Sequence, residues 1–477
     1  MELPDGLVVV VNRDCPTCVM VAPVLGDLLE RSAEPVAVYT QDDPSFPDGI
    51  AAIDDTDLEV SWRLEIETVP TVIRVDAGRE VERVVGWHRD RWQALTGVDR
   101  LGPDLPATRP GCGSLSVEPD LATALAVRFG GARLASRRVE LASAEDEMEA
   151  FFDRGWSDGL PVVAPTEARV MRMLDGTTRA ADEVVAVVPP ALVKCTVEKA
   201  AINAVLAGCK PEYLPVVLAA LEAACTDEFN LHGVLATTMP VGPVLIVNGP
   251  LRRAIGMNTG INVLGQGQRA NLTIGRALQL IVRNLGEGRP GEVDRATHGN
   301  PGKVGFCFAE DEEGSPWEPL SVERGVEAGT SAVTVFAGEG PRCIVDQASR
   351  EPDSLARTFA ACLRTVHHPK LPMVFDAVLV VGPEHARVFA EAGWTKSQLR
   401  ARLLELTTAP GEELVRGAGG IAEGAPEAMR AADVPKFRTD GLHIVHAGGR
   451  AGLFSMVIGG WLSGAVGSQI VTREVST

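Results

Sequence analysis

The sequence predicts an α/β protein built from two units. Apolar runs of strand length, such as Leu7 to Val11 and Val244 to Asn248, alternate with helical patterns, which is the signature of strands backed by helices. Turn formers concentrate in one stretch, Thr96 to Asp120, and divide a short first part from a long second one. The chain has 477 residues, and at roughly 150 residues per domain that exceeds a single ordinary domain. Hydrophobic residues at 45% and charged residues at 23% place it among ordered globular proteins.

Taken in order, Leu7 to Val11 reads as a buried strand, Val19 to Leu29 as an amphipathic helix and Pro35 to Thr40 as a second strand, giving a βαβ opening. Pro70 to Arg74 and Glu80 to Val85, joined through Asp76-Ala-Gly78, read as a hairpin, and a short helix runs through Trp92 to Leu95. These elements define a first domain over residues 1–97. Residues 98–120, with Gly102-Pro103, Leu105-Pro106 and Arg109-Pro-Gly111, read as a linker carrying Cys112. Residues 121–477 read as a larger α/β domain. Its expected helices are Val197 to Leu206, Leu214 to Ala224 and Ala270 to Asn284, and its expected strands are Val184 to Val188, Val244 to Asn248, Ala332 to Phe336, Ala377 to Val381 and His443 to His446. Glycine and charge cluster at Gly286 to Asn300, where a division into two lobes is placed.

Asp and Glu number 64 against 45 Lys and Arg, and the formal net charge of −19 repels phosphate backbones and anionic lipid. Neither nucleic acid nor a membrane is an expected partner. The uncharged stretch Ala451 to Thr472 is studded with glycine, serine and threonine and suits a turn-rich core segment rather than a membrane span. The N-terminus lacks a basic region and a long apolar core, so a cytoplasmic location is the expectation. Nine irregularly spaced cysteines then read as reduced thiols, not as a disulfide framework.

Cys15-Pro-Thr-Cys18 follows the first strand and opens the first helix, where free N–H groups and the positive dipole end favour a thiolate on Cys15. The spacing places Cys18 within disulfide reach. The same pair suits half of a zinc site, but residues 1–97 hold only His88 and no third cysteine to complete one. Asp14, next to Cys15, is expected to raise the thiol pKa relative to an uncharged neighbour.

The segment Cys15-Pro-Thr-Cys-Val-Met-Val-Ala-Pro-Val-Leu25 resembles the active-site helix of the thioredoxins, including a kinking proline at Pro23. Val69-Pro70-Thr71 resembles the cis-proline loop that faces the cysteine pair in that family. The likeness covers about residues 5–97 and implies a thioredoxin-like domain with Cys15, Cys18 and Pro70 at its centre. Asp14 stands where thioredoxins usually have tryptophan, and the strand Leu7 to Val11 lacks their buried carboxylate, which points away from general disulfide reduction and toward a dedicated internal partner.

Cys112 lies between glycines in Arg109-Pro-Gly-Cys-Gly-Ser114, an accessible thiol in a glycine-rich segment. Asp158-Gly-Leu-Pro-Val162, Thr196 to Ala204, Glu310 to Pro319 and Gly382-Pro-Glu-His-Ala386 resemble a bacterial, selenoprotein-related family named for its UGSC motif, Sec/Cys-Gly-Ser-Cys. Cys112-Gly113-Ser114 matches the first three positions, with Cys112 in the selenocysteine place, and Leu115 replaces the last cysteine. The resemblance implies that Cys112 is a reactive thiol lacking its family partner, a role open to the Cys15/Cys18 pair.

The larger domain offers further candidates. Arg269, Asn271 and Arg276 lie at a helix start preceded by Gly265-Gln-Gly267, a setting that suits an anion. Cys195 precedes Thr196, the expected N-cap of a helix that carries Glu198 and Lys199 and ends at Gly208; all three side chains are candidate substrate contacts. Cys209 lies past that helix and outside its favourable field. Glu310, Glu312 and Glu313 read first as a solvated acidic turn, and otherwise as a cation site or base. His385 falls after a strand, where open α/β sheets bind ligands. His443 and His446 on one strand point to opposite faces, which disfavours a shared metal.

The leading expectation is a thiol-dependent oxidoreductase acting on a small molecule, with Cys112 as reactive thiol, Cys15 and Cys18 as the relay and an external thiol or dithiol as reductant. The alternatives are a metal- or carboxylate-dependent lyase or hydrolase in the larger domain, and a thiol carrier or chaperone for a soft metal. No cofactor is assigned, a metal requirement is left open, and a homo-oligomer is compatible with the sequence.

Overall fold

The computed structural model describes residues 4–129, 134–139, 141 and 146–476, and the protein is mixed α/β. The chain divides into two compact units, residues 1–133 and 134–477.

In the first unit, β1 (Gly6–Val11) is buried along its whole length, as a run of valines flanked on both sides should be. It pairs in parallel with β2 (Val36–Thr40), and β2 in parallel with β3 (Ile53–Asp54). On its other side it pairs antiparallel with β5 (Thr71–Asp76), which forms a hairpin with β6 (Arg79–Val85). The sheet order is β3-β2-β1-β5-β6. Helix α1 (Pro16–Arg31) connects β1 to β2 and buries Cys18, Val21, Val24, Leu25 and Leu28, residues three and four apart. It runs continuously through Pro23. The short helix α2 (Glu59–Arg63) leads to β4 (Thr68–Val69), and α3 (Arg89–Thr96) follows β7 (Trp87–His88).

The stretch expected to be a linker is instead built into this unit. Val98 and Leu101 are buried in its apolar core. Trp87 Nε1 donates to the Pro106 carbonyl at 2.7 Å, and Trp87 packs edge-on against Trp92. Two short strands, β8 (Thr108–Arg109) and β9 (Cys112–Gly113), pair antiparallel with β7 and β4, and α4 (Pro119–Phe129) follows. Turn formers mark where a chain changes direction, and here each turn is fastened to the core. The boundary therefore falls after Arg133, not at 97 or 120.

The second unit contains a two-stranded ladder, β10 (Val184–Val188) with β11 (Val193–Thr196), and an eight-stranded sheet. Helices α5 (Val197–Ala207), α6 (Leu214–Ala224) and α7 (Arg269–Asn284) contribute to a large apolar cluster; α6 is buried at all but one of its positions, matching its nearly all-apolar sequence. In the sheet, β12 (Gly242–Asn248) pairs in parallel with β13 (Phe306–Ala309) and antiparallel with β14 (Ala332–Gly338). The same arrangement recurs later, with β16 (Phe375–Val381) parallel to β19 (Leu442–His446) and antiparallel to β20 (Phe454–Leu462). Each half lends its last strand to the other, because β15 (Arg342–Val345) pairs with β20 and β21 (Val471–Glu474) pairs with β14. The halves meet where Gly338 faces Gly460.

The expected lobe boundary at 286–300 is not a boundary. β12 precedes that stretch, β13 and β14 follow it, and all three are neighbours in one sheet. Helices α8 (Pro352–Arg364), α9 (Pro383–Glu391) and α10 (Lys396–Thr407) belong to the second half, as does the small ladder of β17 (Ala409–Pro410) with β18 (Asp433–Val434). No helix among the described residues is long and apolar enough to cross a membrane.

Candidate functional site: three cysteines in the first unit

Cys15 is the N-cap of α1, with Pro16 in the first turn, so the helix begins directly at the sulfur. The Cys18 N–H donates to Cys15 Sγ at 3.4 Å. Across from it, Cys15 Sγ lies 3.4 Å from the carbonyl oxygen of Val69, at the cis Val69–Pro70 bond. Val69 is the antiparallel partner of Cys112, which brings the Cys112 thiol near enough to Cys15 for each to shift the other's titration. Three thiols that the sequence places in two separate segments thus form one site.

The segment that carries Cys112 is tied down on both sides. Thr17 Oγ1 donates to the Pro110 carbonyl at 2.7 Å. A Cβ on Gly111 would lie 2.5 Å from both Val69 O and Thr68 Cγ2, so glycine is what permits this close approach. Ser114 N donates to the Glu67 carbonyl, and Ser114 Oγ accepts from Gln41 Nε2 at 2.6 Å. Gln41 Nε2 also donates to Ser61 Oγ at 2.8 Å, whose own proton goes to Asp55 Oδ2 at 2.6 Å. Asp55, Ser61, Gln41 and Ser114 are all buried, so the Gly-Ser that follows Cys112 ends in a satisfied internal polar chain.

Exposure grades outward across the three sulfurs. Cys18 is 0% exposed, Cys15 is 2%, and Cys112 is half-buried. Hydrogen bonding from Cys18 pulls the Cys15 thiol down from its ordinary 9.0 to about 5, against the opposing effect of burial and with help from Cys112 and the N–H groups of Cys18 and Thr17. Burial and the adjacent Cys15 charge push Cys18 and Cys112 up. Asp14 is exposed, and the net direction at Cys15 is downward. One thiolate, at Cys15, is therefore held between two thiols.

No family model, curated protein or solved structure matches this chain.

Most of the candidates in the second unit are occupied by structural contacts. Arg269 donates to the carbonyls of Gly208 and Cys209, closing the end of α5, so its guanidinium does not face an open anion cradle. Asn271 is buried and holds the backbone of Asn258 at both N–H and C=O. Arg276 makes a two-pronged ion pair with Asp158, both bonds 2.8 Å, and also reaches the carbonyls of Leu160 and Pro161. Cys195 is buried in the apolar cluster, and burial pushes its thiol up to about 12, the reverse of activation by the helix dipole. Cys209 is likewise pushed up to about 12. Glu198 accepts from the backbone of Ala135 and Ser136, and Lys199 Nζ donates to the Lys194 carbonyl. His385 is 0% exposed, with Nδ1 at 2.8 Å from Ser455 Oγ and Nε2 at 3.2 Å from the Asp346 carbonyl, which closes the ring to a ligand.

The acidic segment departs from its solvated reading. Glu310 is 0% exposed, accepts from Asn248 Nδ2 and Leu320 N, and is pushed up by burial. Glu312 accepts from Asn248 and Gly249, and Glu313 pairs with the buried Arg252. His446, 1% exposed, has no hydrogen-bond partner on either ring nitrogen among the described residues and lies 4.0 Å from Asp311. Asn248 was not singled out in the sequence. It is the one residue by which Val244-Leu-Ile-Val-Asn-Gly-Pro250 exceeds the similar strand end Val378-Leu-Val-Val-Gly-Pro383. Among the described residues no three His, Cys, Asp or Glu side chains are arranged to hold a metal ion.

Proposed function

We propose that the protein is a thiol-dependent oxidoreductase whose first unit is a thioredoxin-like domain carrying its own substrate-facing cysteine, Cys112. The observation that carries this reading is the pairing of Cys112 with Val69, whose carbonyl oxygen lies 3.4 Å from Cys15 Sγ. The parallel β1–β2 pair, the antiparallel β5–β6 hairpin and the cis-proline facing the cysteines support the thioredoxin likeness. Cys112-Gly113-Ser114, with its serine fastened inward, supports a relation to the UGSC-motif family.

The reaction follows from the exposure gradient. Cys112 passes its proton to the Cys15 thiolate and attacks an electrophilic small molecule R–X, forming a Cys112–R bond as X leaves as an anion. Cys15, again a thiolate once it gives up that proton, attacks Cys112 Sγ. A Cys15–Cys112 disulfide forms and R departs with its electron pair, taking a proton to become RH. Cys18 then attacks Cys15 Sγ, its proton passing to the departing Cys112 sulfur, which forms the Cys15–Cys18 disulfide and returns Cys112 as a thiol. R–X is reduced by two electrons, and an external thiol or dithiol returns the pair to its reduced state. Such cycling requires a reducing compartment, and we place the protein in the cytoplasm on that ground.

Mass mapping of disulfides after mild oxidation tests the relay. In Cys18→Ser, a Cys15–Cys112 disulfide accumulates; in Cys112→Ser, Cys15–Cys18 still closes while turnover of reducible small molecules is lost. A Cys112 that stays free in Cys18→Ser overturns the relay.

A second reading, carboxylate-dependent chemistry in the second unit, is favoured by the buried Glu310 beside the unpartnered His446. Turnover that survives Cys15→Ser and is lost in Glu310→Gln selects it.

A further inference from the structure

In the second unit, a cavity of about 420 Å³ opens between the end of α10, the β17–β18 ladder and the segment 369–372. That is within the roughly 300–1,000 Å³ range of small-ligand sites. Pro369, Pro372 and Val434 give it apolar walls, and Arg364, Lys370 and Lys436 bring three cations to its lining. Glu413, the acidic residue in that lining, is exposed.

Both lysines are deeply buried, Lys370 at 6% exposure and Lys436 at 3%. Neither has an ion pair with a carboxylate among the described residues. Lys436 Nζ donates to the carbonyls of Val366, His368 and Leu371, which uses all three of its N–H bonds. Lys370 Nζ donates to the carbonyls of Val415 and Ala418, which leaves it one N–H. Arg364 spends one N–H on the Leu406 carbonyl at the negative end of α10 and keeps its other donors. Buried charges are ordinarily paired, and carbonyl dipoles compensate an ammonium only in part. Burial and the charge of Arg342 push Lys436 down to about 8, the behaviour of an ammonium that lacks an anion nearby. In a chain of net charge −19, a cationic cavity is not a by-product of overall composition.

We propose that this cavity binds a small organic anion, its carboxylate or phosphate head held by the remaining N–H of Lys370 and by Arg364, and its body against Pro369, Pro372 and Val434. Lys436 contributes charge without direct contact. The site does not depend on the cysteine relay, and its test does not use turnover.

The experiment is thermal denaturation and calorimetric titration of the full chain with inorganic phosphate, succinate and benzoate, each against chloride at equal ionic strength. At least one anion raises Tm above the chloride control; phosphate alone identifies a phosphate head, and succinate or benzoate a carboxylate. Arg364→Gln, at an exposed position, weakens that binding by about tenfold, the loss of one charge-assisted contact. Lys370→Met abolishes it. The proposal is overturned if none of the three anions shifts Tm beyond chloride, or if the shift persists unchanged in Arg364→Gln, which keeps the result readable should Lys370→Met fail to fold.

Discussion

Val69 and Cys112 are direct antiparallel partners, and the carbonyl of that same Val69 lies 3.4 Å from Cys15 Sγ. One backbone position thus fixes both the helix-mouth sulfur and the outer sulfur, so disturbing the β4–β9 approach should separate the thiols without unfolding the sheet.

Gly111→Ala applies that disturbance. Its Cβ would meet backbone at 2.5 Å, and the cost of such overpacking is about 1–3 kcal/mol. Denaturant unfolding should show this loss, and the Cys15–Cys112 disulfide should form more slowly in a Cys18→Ser background while Cys15–Cys18 closure in the otherwise native chain keeps its rate.

Gln41→Leu breaks the buried chain between Asp55 and Ser114. It leaves the Leu115 N–H without its partner at about 1–3 kcal/mol, while Ser61 keeps its bond to Asp55 and Ser114 its bond to Ser116. Gln41 makes no hydrogen bond to a sulfur and acts by positioning, so Cys15–Cys112 coupling should fall and the Cys15 midpoint should rise by the share that Cys112 contributes, while the larger share from Cys18 stays in place.

The Cys15 thiolate sets a pH dependence. With its folded pKa lowered from 9.0 to about 5, the folded state binds fewer protons than the unfolded state between those values. Its stabilising contribution is therefore full above 9.0, declines as pH falls and is gone below about 5. Thiolate absorbance of the reduced protein should titrate with a midpoint about 5, and Cys18→Ala, which removes the side-chain donor that is the largest cause of the shift, should move that midpoint up.

Arg276→Met tests the structural assignment of a side chain first read as an anion ligand. It strands the largely buried carboxylate of Asp158, at about 3–5 kcal/mol. Urea unfolding should show the loss, and adding Asp158→Leu should recover part of it.

Several elements were legible because their causes are local. The valine run of β1, the 3.6-residue spacing of α1 and the Gly-turned hairpin of β5 and β6 appear where the pattern places them. The N-cap at Thr196 and the stop at Gly208 do too, since caps are set by neighbouring residues. Misreadings arose where a residue's role depends on a distant partner. Arg269 and Arg276 look like free cations until the carbonyls of Gly208 and Cys209, and the carboxylate of Asp158, are brought against them. Glu310 looks solvated in a row of acids until the ends of β13 and β19 converge over it.

By itself the sequence determined the α/β alternation, the placement of Cys15 and Cys18 on one helical turn and the acidic balance of the chain, because periodicity, capping and charge are properties of short segments. Only the tertiary structure decided that 98–129 belongs to the first unit, that Cys112 pairs with the backbone position whose carbonyl meets Cys15, and that two buried lysines line one cavity with carbonyls rather than a carboxylate on their ammonium groups. Those outcomes depend on which surfaces bury one another, and burial is settled by packing between residues far apart in the chain.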